Sequence, residues 1–193
     1  MSDRKQRDEP AQRLSRADYR AWAAAQPRGR FERHSAVVVA MAPERVAHVR
    51  LKAAAWALLR DGIRANQLPC EALTDGMTVE IGEDDDYEPD AIVRCGVRLA
   101  DDATTVPDPL IVVEVLSPST SAIDRSVKLE RYFRLPSVQH YLIIWTRHRV
   151  VHHRRVGDGV ETTSRTDGAI RLESVWAAVQ RDCALYAEAA PAP

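Results

Sequence analysis

The run Leu110-Ile111-Val112-Val113-Glu114-Val115-Leu116 constrains the chain most. Seven residues, almost wholly apolar and rich in β-branched side chains, suit a central strand covered on both faces. A strand of that kind needs a sheet around it and helices or a second layer above and below. It also carries one anomaly, Glu114. A carboxylate inside such a strand costs several kcal/mol unless it is paired or binds a cation.

The flanking sequence supplies the other layers. Ser117-Pro118-Ser119-Thr120 breaks the strand and offers helix caps, a helix is expected over 121–135, and Pro136 stops it. Tyr141 to Trp145 reads as another buried strand, with Arg149 to His153 as its hairpin partner. Upstream, Met77 to Ile81 and Asp90 to Arg94 read as strands. A helix is expected from Pro43 to Leu59, where Val46, Val49, Ala53 and Trp56 recur with a period near 3.6. Ser15 can cap a first helix, Arg16 to Ala25, that Pro27-Arg28-Gly29 ends, and Ala36 to Val39 is a short strand. Weaker strand signals lie at Val160 to Thr163 and Ala169 to Leu172, and Val175 to Glu188 is helix-like. The order predicts an α/β (α+β) fold, a mixed central sheet flanked by helices, rather than an all-β sandwich.

At 193 residues the chain suits one domain, expected over 14–188 with tails at 1–13 and 189–193. No apolar run reaches membrane-spanning length, and the charged N-terminus lacks the apolar core of a secretory signal, so a cytoplasmic protein is expected. The formal charge of −1 weighs against a tight sequence-independent nucleic-acid binder. Basic residues nevertheless cluster from Arg147 to Arg155. Cys70, Cys95 and Cys183 have no metal-ligand spacing, and their odd number argues against a disulfide framework; inert thiols are expected. No phosphate-binding glycine loop is present, so no organic cofactor is expected.

Asp90 gives Glu114 a companion. It opens its strand after Glu88-Pro89, 24 residues before Glu114, a separation that suits two strands of one hairpin-like unit. Two carboxylates brought together repel, and Mg²⁺ or Mn²⁺ relieves the repulsion through oxygen ligands. Such an ion can activate water and offset charge on a phosphodiester. A positive group is then wanted nearby. Asp124, Lys128 and Tyr132 fall at i, i+4 and i+8 on one face of the following helix. Taken alone, Glu114 also fits a salt-bridged glutamate, and Asp124 with Lys128 also fits a solvated helix pair.

Other features read more simply. Glu83 to Asp86 lacks the spacing of a calcium loop and suits a solvated turn. His152 and His153 point to opposite faces of a strand, so with His148 they suit a solvated or DNA-facing hairpin better than a metal site. Ser117 and Ser119 have no nucleophile elbow around them. The four tryptophans, Trp22, Trp56, Trp145 and Trp176, are scattered.

Several segments together resemble the Uma family of putative restriction endonucleases. They are Glu88-Pro89-Asp90, the stretch from Val106-Pro107-Asp108 through Glu114-Val115-Leu116-Ser117-Pro118-Ser119-Thr120, the set Asp124, Lys128 and Tyr132, and Tyr141-Leu142-Ile143-Ile144. The resemblance runs from about Leu14 to Leu172 and is densest from Glu88 to Trp145. It implies the PD-(D/E)xK nuclease fold, with Asp90 and Glu114 as metal-holding carboxylates. Leu116 stands where the motif lysine would be, and the resemblance assigns that role to Lys128 on the next helix. Phe31-Glu32-Arg33 matches the opening of the family's first hairpin, with His34-Ser35-Ala36 in place of its usual turn. Met41-Ala42-Pro43 and His48 match the entry to its long helix. Glu32 is a weaker match to an acidic residue approaching the metal. The implied activity is Mg²⁺- or Mn²⁺-dependent hydrolysis of DNA, with a two-fold homodimer by analogy. The rivals are a non-catalytic nucleic-acid-binding or assembly module on the same fold, and a metal-dependent hydrolase of another phosphate ester. Geometry separates the first two: catalysis needs the Lys128 amine at the carboxylates, whereas a module permits it to face water.

Overall fold

The computed structural model describes residues 13–116, 122–145, 149–167, 170 and 172, with the backbone alone for 122–125. The expected cap at Ser117 to Thr120, Arg147, His148, Trp176, Cys183, the helix over 175–188, residues 1–12 of the expected N-terminal tail and the tail at 189–193 lie outside the described residues. The elements in chain order are α1 (Arg16–Ala24), β1 (Phe31–His34), β2 (Val37–Ala40), α2 (Val46–Ala65), β3 (Cys70–Thr74), β4 (Val79–Ile81), β5 (Asp85–Tyr87), β6 (Ala91–Cys95), β7 (Ile111–Leu116), α3 (Ala122–Tyr132), β8 (His140–Trp145), β9 (Arg149–Val156) and β10 (Gly159–Arg165). They form a four-stranded sheet, β2-β1-β5-β4, and a six-stranded sheet, β10-β9-β8-β7-β6-β3. A single domain over 14–188 is the expectation from sequence. The described residues fall into two compact units, one within 13–43 and 80–87, the other within 44–79 and 88–172.

In the first unit, Ser15 caps α1 as expected, its hydroxyl accepting from the Asp18 N–H at 3.2 Å. Strands β1 and β2 form a hairpin in which His34 pairs with Val37, leaving Ser35 and Ala36 as a two-residue loop. Both loop residues have positive φ, 50° and 66°. This is the backbone of a type I′ turn, which matches the twist of the strands but strains a residue with a Cβ. Ala36→Gly is therefore expected to stabilise the protein by about 1 kcal/mol, read as a higher urea midpoint; a lower midpoint would mean that the turn carries no such strain.

The acidic stretch is a correction. Asp85 and Asp86, expected in a solvated turn, are 2% and 1% exposed and belong to β5. The cause is Arg33, itself fully buried on β1. Its Nε donates to Asp86 Oδ2 at 2.5 Å, and its remaining donors reach the carbonyls of Leu14 and Glu83. Arg16 donates to the other Asp86 oxygen at 2.6 Å. Asp85 accepts from the Ser35 N–H and the Tyr87 hydroxyl. Asp86→Ala removes the anion and leaves a buried guanidinium uncompensated, so it is expected to cost about 3–5 kcal/mol. Equilibrium urea unfolding checks this, and a cost below about 1 kcal/mol, the level of an exposed pair, would contradict it.

In the second unit β7 is central and every one of its residues is buried. It runs parallel to β8 and antiparallel to β6, so the sheet is mixed as expected. A parallel neighbour demands a crossover, and α3 supplies it. Helix α2 covers one face of β7: its Ala55, Leu59 and Ile63 join Ala91, Val93, Ile111, Val113 and Val115 in one core cluster. Burying each large aliphatic side chain there contributes about 1.5–3 kcal/mol.

The period expected for α2 is present but its phase is not. Val46 and Val49 are 65% and 50% exposed, and the buried stripe is Lys52, Ala55, Leu59 and Ile63. That stripe is polar at its N-terminal end, which hides it from a search for apolar residues alone.

The cysteines are a second correction. Cys70 and Cys95 stand directly opposite on β3 and β6 and form a disulfide. The pairing comes from strand register, which no local spacing announces. The histidine hairpin is a third. His152 and His153 do face opposite ways, but both are buried, at 6% and 7% exposure, rather than solvated. His152 Nε2 lies 2.9 Å from Nδ1 of the buried His140, and His153 Nδ1 lies 2.8 Å from the Thr162 hydroxyl. Arg155 is also engaged, donating to the carbonyls of Phe133, Leu135 and Val138.

Candidate active site

The register of β6 on β7 pairs Ala91 with Val113. One step further, the Asp90 N–H donates to the Val113 carbonyl at 2.9 Å. Asp90 thus stands just before β6, hydrogen-bonded to the β7 backbone next to Glu114. Both are buried, at 5% and 6% exposure. Asp90 is held in place by the Val115 N–H, which donates to its Oδ2 at 2.6 Å.

Glu114 points to the face of β7 away from the α2 core cluster, where α3 meets it. Lys128 Nζ donates to Glu114 Oε1 at 3.0 Å, and the Tyr132 hydroxyl donates to the same oxygen at 2.9 Å. Their i, i+4 spacing on α3 puts both on one carboxylate. Tyr132 is fully buried, its ring 5.0 Å from that of Tyr141 on β8. The lysine therefore faces the carboxylate and not bulk water. Asp124, the third member of the expected helix face, has its side chain outside the described residues.

Asp90 is met by residues of α2. Lys52 Nζ lies 2.9 Å from its Oδ1 and His48 Nε2 lies 3.5 Å from its Oδ2. Lys52 also donates to Glu44 at 2.6 Å and to Asp75 at 2.7 Å. Ligand atoms of Glu44, His48 and Asp90 lie within 4.8 Å of one another. Two carboxylates and one imidazole nitrogen are a donor set suited to a hard or borderline divalent cation. Burial pushes the Asp90 carboxyl up, but hydrogen bonds from His48, Lys52 and the Val115 N–H, with the Lys52 charge, hold it below the usual carboxylate range. Burial alone would lower Lys52; its three carboxylate partners instead raise it well above an ordinary lysine.

The structure thus brings Lys128 to Glu114 and sets Asp90 among Glu44, His48 and Lys52. Reading the sequence for site residues missed Glu44, Lys52 and Asp75, and noted His48 only as a feature of helix entry. A signal existed: His48 and Lys52 are four residues apart and so share one face of α2, and Glu44 stands just before that helix. Nothing local marks Asp75. Glu32 lies in the first unit, where it is buried and its Oε2 is 2.8 Å from His34 Nε2.

A family model described as "Putative restriction endonuclease", Uma2, matches residues 16–181. The uncharacterized protein slr1290 of Synechocystis sp. is 38% identical over 92 residues, 42% of this chain and 48% of that protein. The chain thus spans about half the length of that curated relative. Among solved structures, a putative nuclease belonging to DUF820 from Anabaena variabilis aligns with a TM-score of 0.62 at 14% identity, over 79% of this chain and 87% of the other. At that identity the likeness shows the fold, which is the mixed α+β arrangement expected. Among the described residues, no helix is long and apolar enough to cross a membrane.

Proposed function

The chain belongs to the Uma2 family of putative restriction endonucleases, and on that premise we propose that it hydrolyses phosphodiester bonds of DNA with the help of Mg²⁺ or Mn²⁺. The observation that carries this reading is two buried carboxylates on neighbouring strands, Asp90 just before β6 and Glu114 within β7, with a lysine donating to Glu114. Asp90, Glu114 and the neighbouring Glu44 and His48 would hold the ion. A bound divalent cation lowers the pKa of a water and neutralises charge developing on the phosphoryl oxygens.

The chain's own residues do the rest. Lys128 is the positioned cation for the attacking water or for the developing oxyanion, a role in which charge aligned beforehand is worth most. Tyr132 holds the Glu114 oxygen that Lys128 also holds, and so fixes the carboxylate's rotamer. Lys52 and the Val115 N–H do the same for Asp90. A two-fold homodimer would let both DNA strands be cut.

The alternative of a non-catalytic module has less support, because Lys128 has only 13% of its side chain exposed and reaches Glu114. Supercoiled plasmid and single-stranded DNA, each incubated with Mg²⁺, with Mn²⁺ and with chelator, test the proposal. Nicking or linearisation that requires the metal is expected. DNA that is retained by the protein but stays intact under every metal condition would favour the binding module instead.

A further inference from the structure

Lys52 is the cation that the family resemblance does not lead one to expect. It sits on α2, 6% exposed, with its ammonium within 2.6 to 2.9 Å of Glu44, Asp75 and Asp90. Burying an ammonium among carboxylates is costly unless its charge is fully used. Here three carboxylates converge on it, in the arrangement by which acidic side chains usually surround a metal ion.

Charge balance gives the arrangement a meaning. Around the Lys52 ammonium stand three carboxylates, Glu44, Asp75 and Asp90. Three carboxylates against one ammonium leave two negative charges, which one divalent ion neutralises. The oxygens are divided accordingly. Lys52 takes Oδ1 of Asp90 and Oε1 of Glu44, while His48 Nε2 approaches Oδ2 of Asp90.

We propose that Lys52 is a built-in second cation: its ammonium holds the position beside Asp90 that a second metal ion would take, so the centre binds one divalent ion, near Glu44, His48 and Asp90. The inference rests on the reading of Asp90 as a metal ligand. Lys52 is in this sense a positioning residue that sets the metal count. A purely structural lysine would not alter that count.

The test is Mn²⁺ binding to the full chain without DNA, followed by the EPR signal of free Mn²⁺. Wild type is expected to bind one Mn²⁺ at this centre. Lys52→Ala, which leaves three carboxylates without their cation, is expected to bind two, or to bind the first at least about tenfold more tightly. Lys52→Arg, which restores the charge, is expected to return to one. If Lys52→Ala does not fold in the absence of metal, the comparison is its gain in thermal midpoint on adding Mn²⁺, which is expected to exceed the gain of wild type. Two ions in wild type, no binding in wild type, or an alanine variant that matches wild type in count and affinity would each overturn the inference. The outcome is separable from the nuclease reading. One ion in wild type and two in the variant without any DNA cleavage leaves the inference standing and sinks the nuclease. Cleavage by a wild type that binds two ions does the reverse.

Discussion

Asp90→Asn and Glu114→Gln are each expected to slow metal-dependent DNA cleavage by about 10³-fold or more, a loss of roughly 4 kcal/mol of transition-state stabilisation. The amides keep the size of the side chains, so the packing of β6 on β7 survives. The negative charge does not survive. In Asp90→Asn the N–H of Val115 can still donate to the amide oxygen, but the charge that faces Lys52 and His48 is gone. In Glu114→Gln the Tyr132 hydroxyl keeps an acceptor, while Lys128 loses its counter-ion. Each variant should remain folded by circular dichroism and bind Mn²⁺ more weakly. A variant that binds the ion as wild type does and still cuts at the wild-type rate would remove that residue from the centre.

The second large effect is on stability and concerns acid. His140 and His152 are held neutral in the folded protein. Burial, followed by the positive charges of His152 and Arg154, lowers His140 to about 3, and burial with Arg154 and His153 lowers His152 to about 4. The unfolded chain protonates both near the ordinary value of about 6.5. Below that value the unfolded state binds more protons than the folded one. Stability is therefore fully present above about pH 6.5 and is lost as pH falls toward 4. Each histidine contributes about 1.4 kcal/mol per pH unit in that window, so the pair accounts for roughly 5 kcal/mol between about pH 6.5 and 4.5. His153, lowered by burial as well, adds to the loss in the same window. Urea midpoints measured across it should fall steeply, and His152→Gln should flatten the slope. A midpoint independent of pH in that range would mean the two rings are protonated in the folded protein.

Much of the fold is legible because its signals are local. The Leu110–Leu116 run is apolar enough to identify β7, and the Ser15 cap and Pro136 stop bracket helices whose residues agree with them. The contact of Lys128 with Glu114 is legible too, since a carboxylate in an apolar strand and a lysine on the helix that follows stand out from their background. What could not be read depends on the partner across space. Asp86 looks solvated until Arg33, more than 50 residues earlier, is found buried against it. Cys70 and Cys95 meet only through the register of β3 on β6. The face of α2 was misjudged for a related reason. Its inward stripe opens with His48 and Lys52, which serve Asp90, and a pattern search for hydrophobic residues skips the very turns that build the site.

The most direct measurement is the rate at which supercoiled plasmid is nicked in Mn²⁺ by wild type and by Asp90→Asn, at matched concentration and with folding checked on the same samples. The account predicts metal-dependent nicking by wild type and a rate at least about 10³-fold lower in the variant. Equal rates, or no nicking by a folded and metal-loaded wild type, would contradict it.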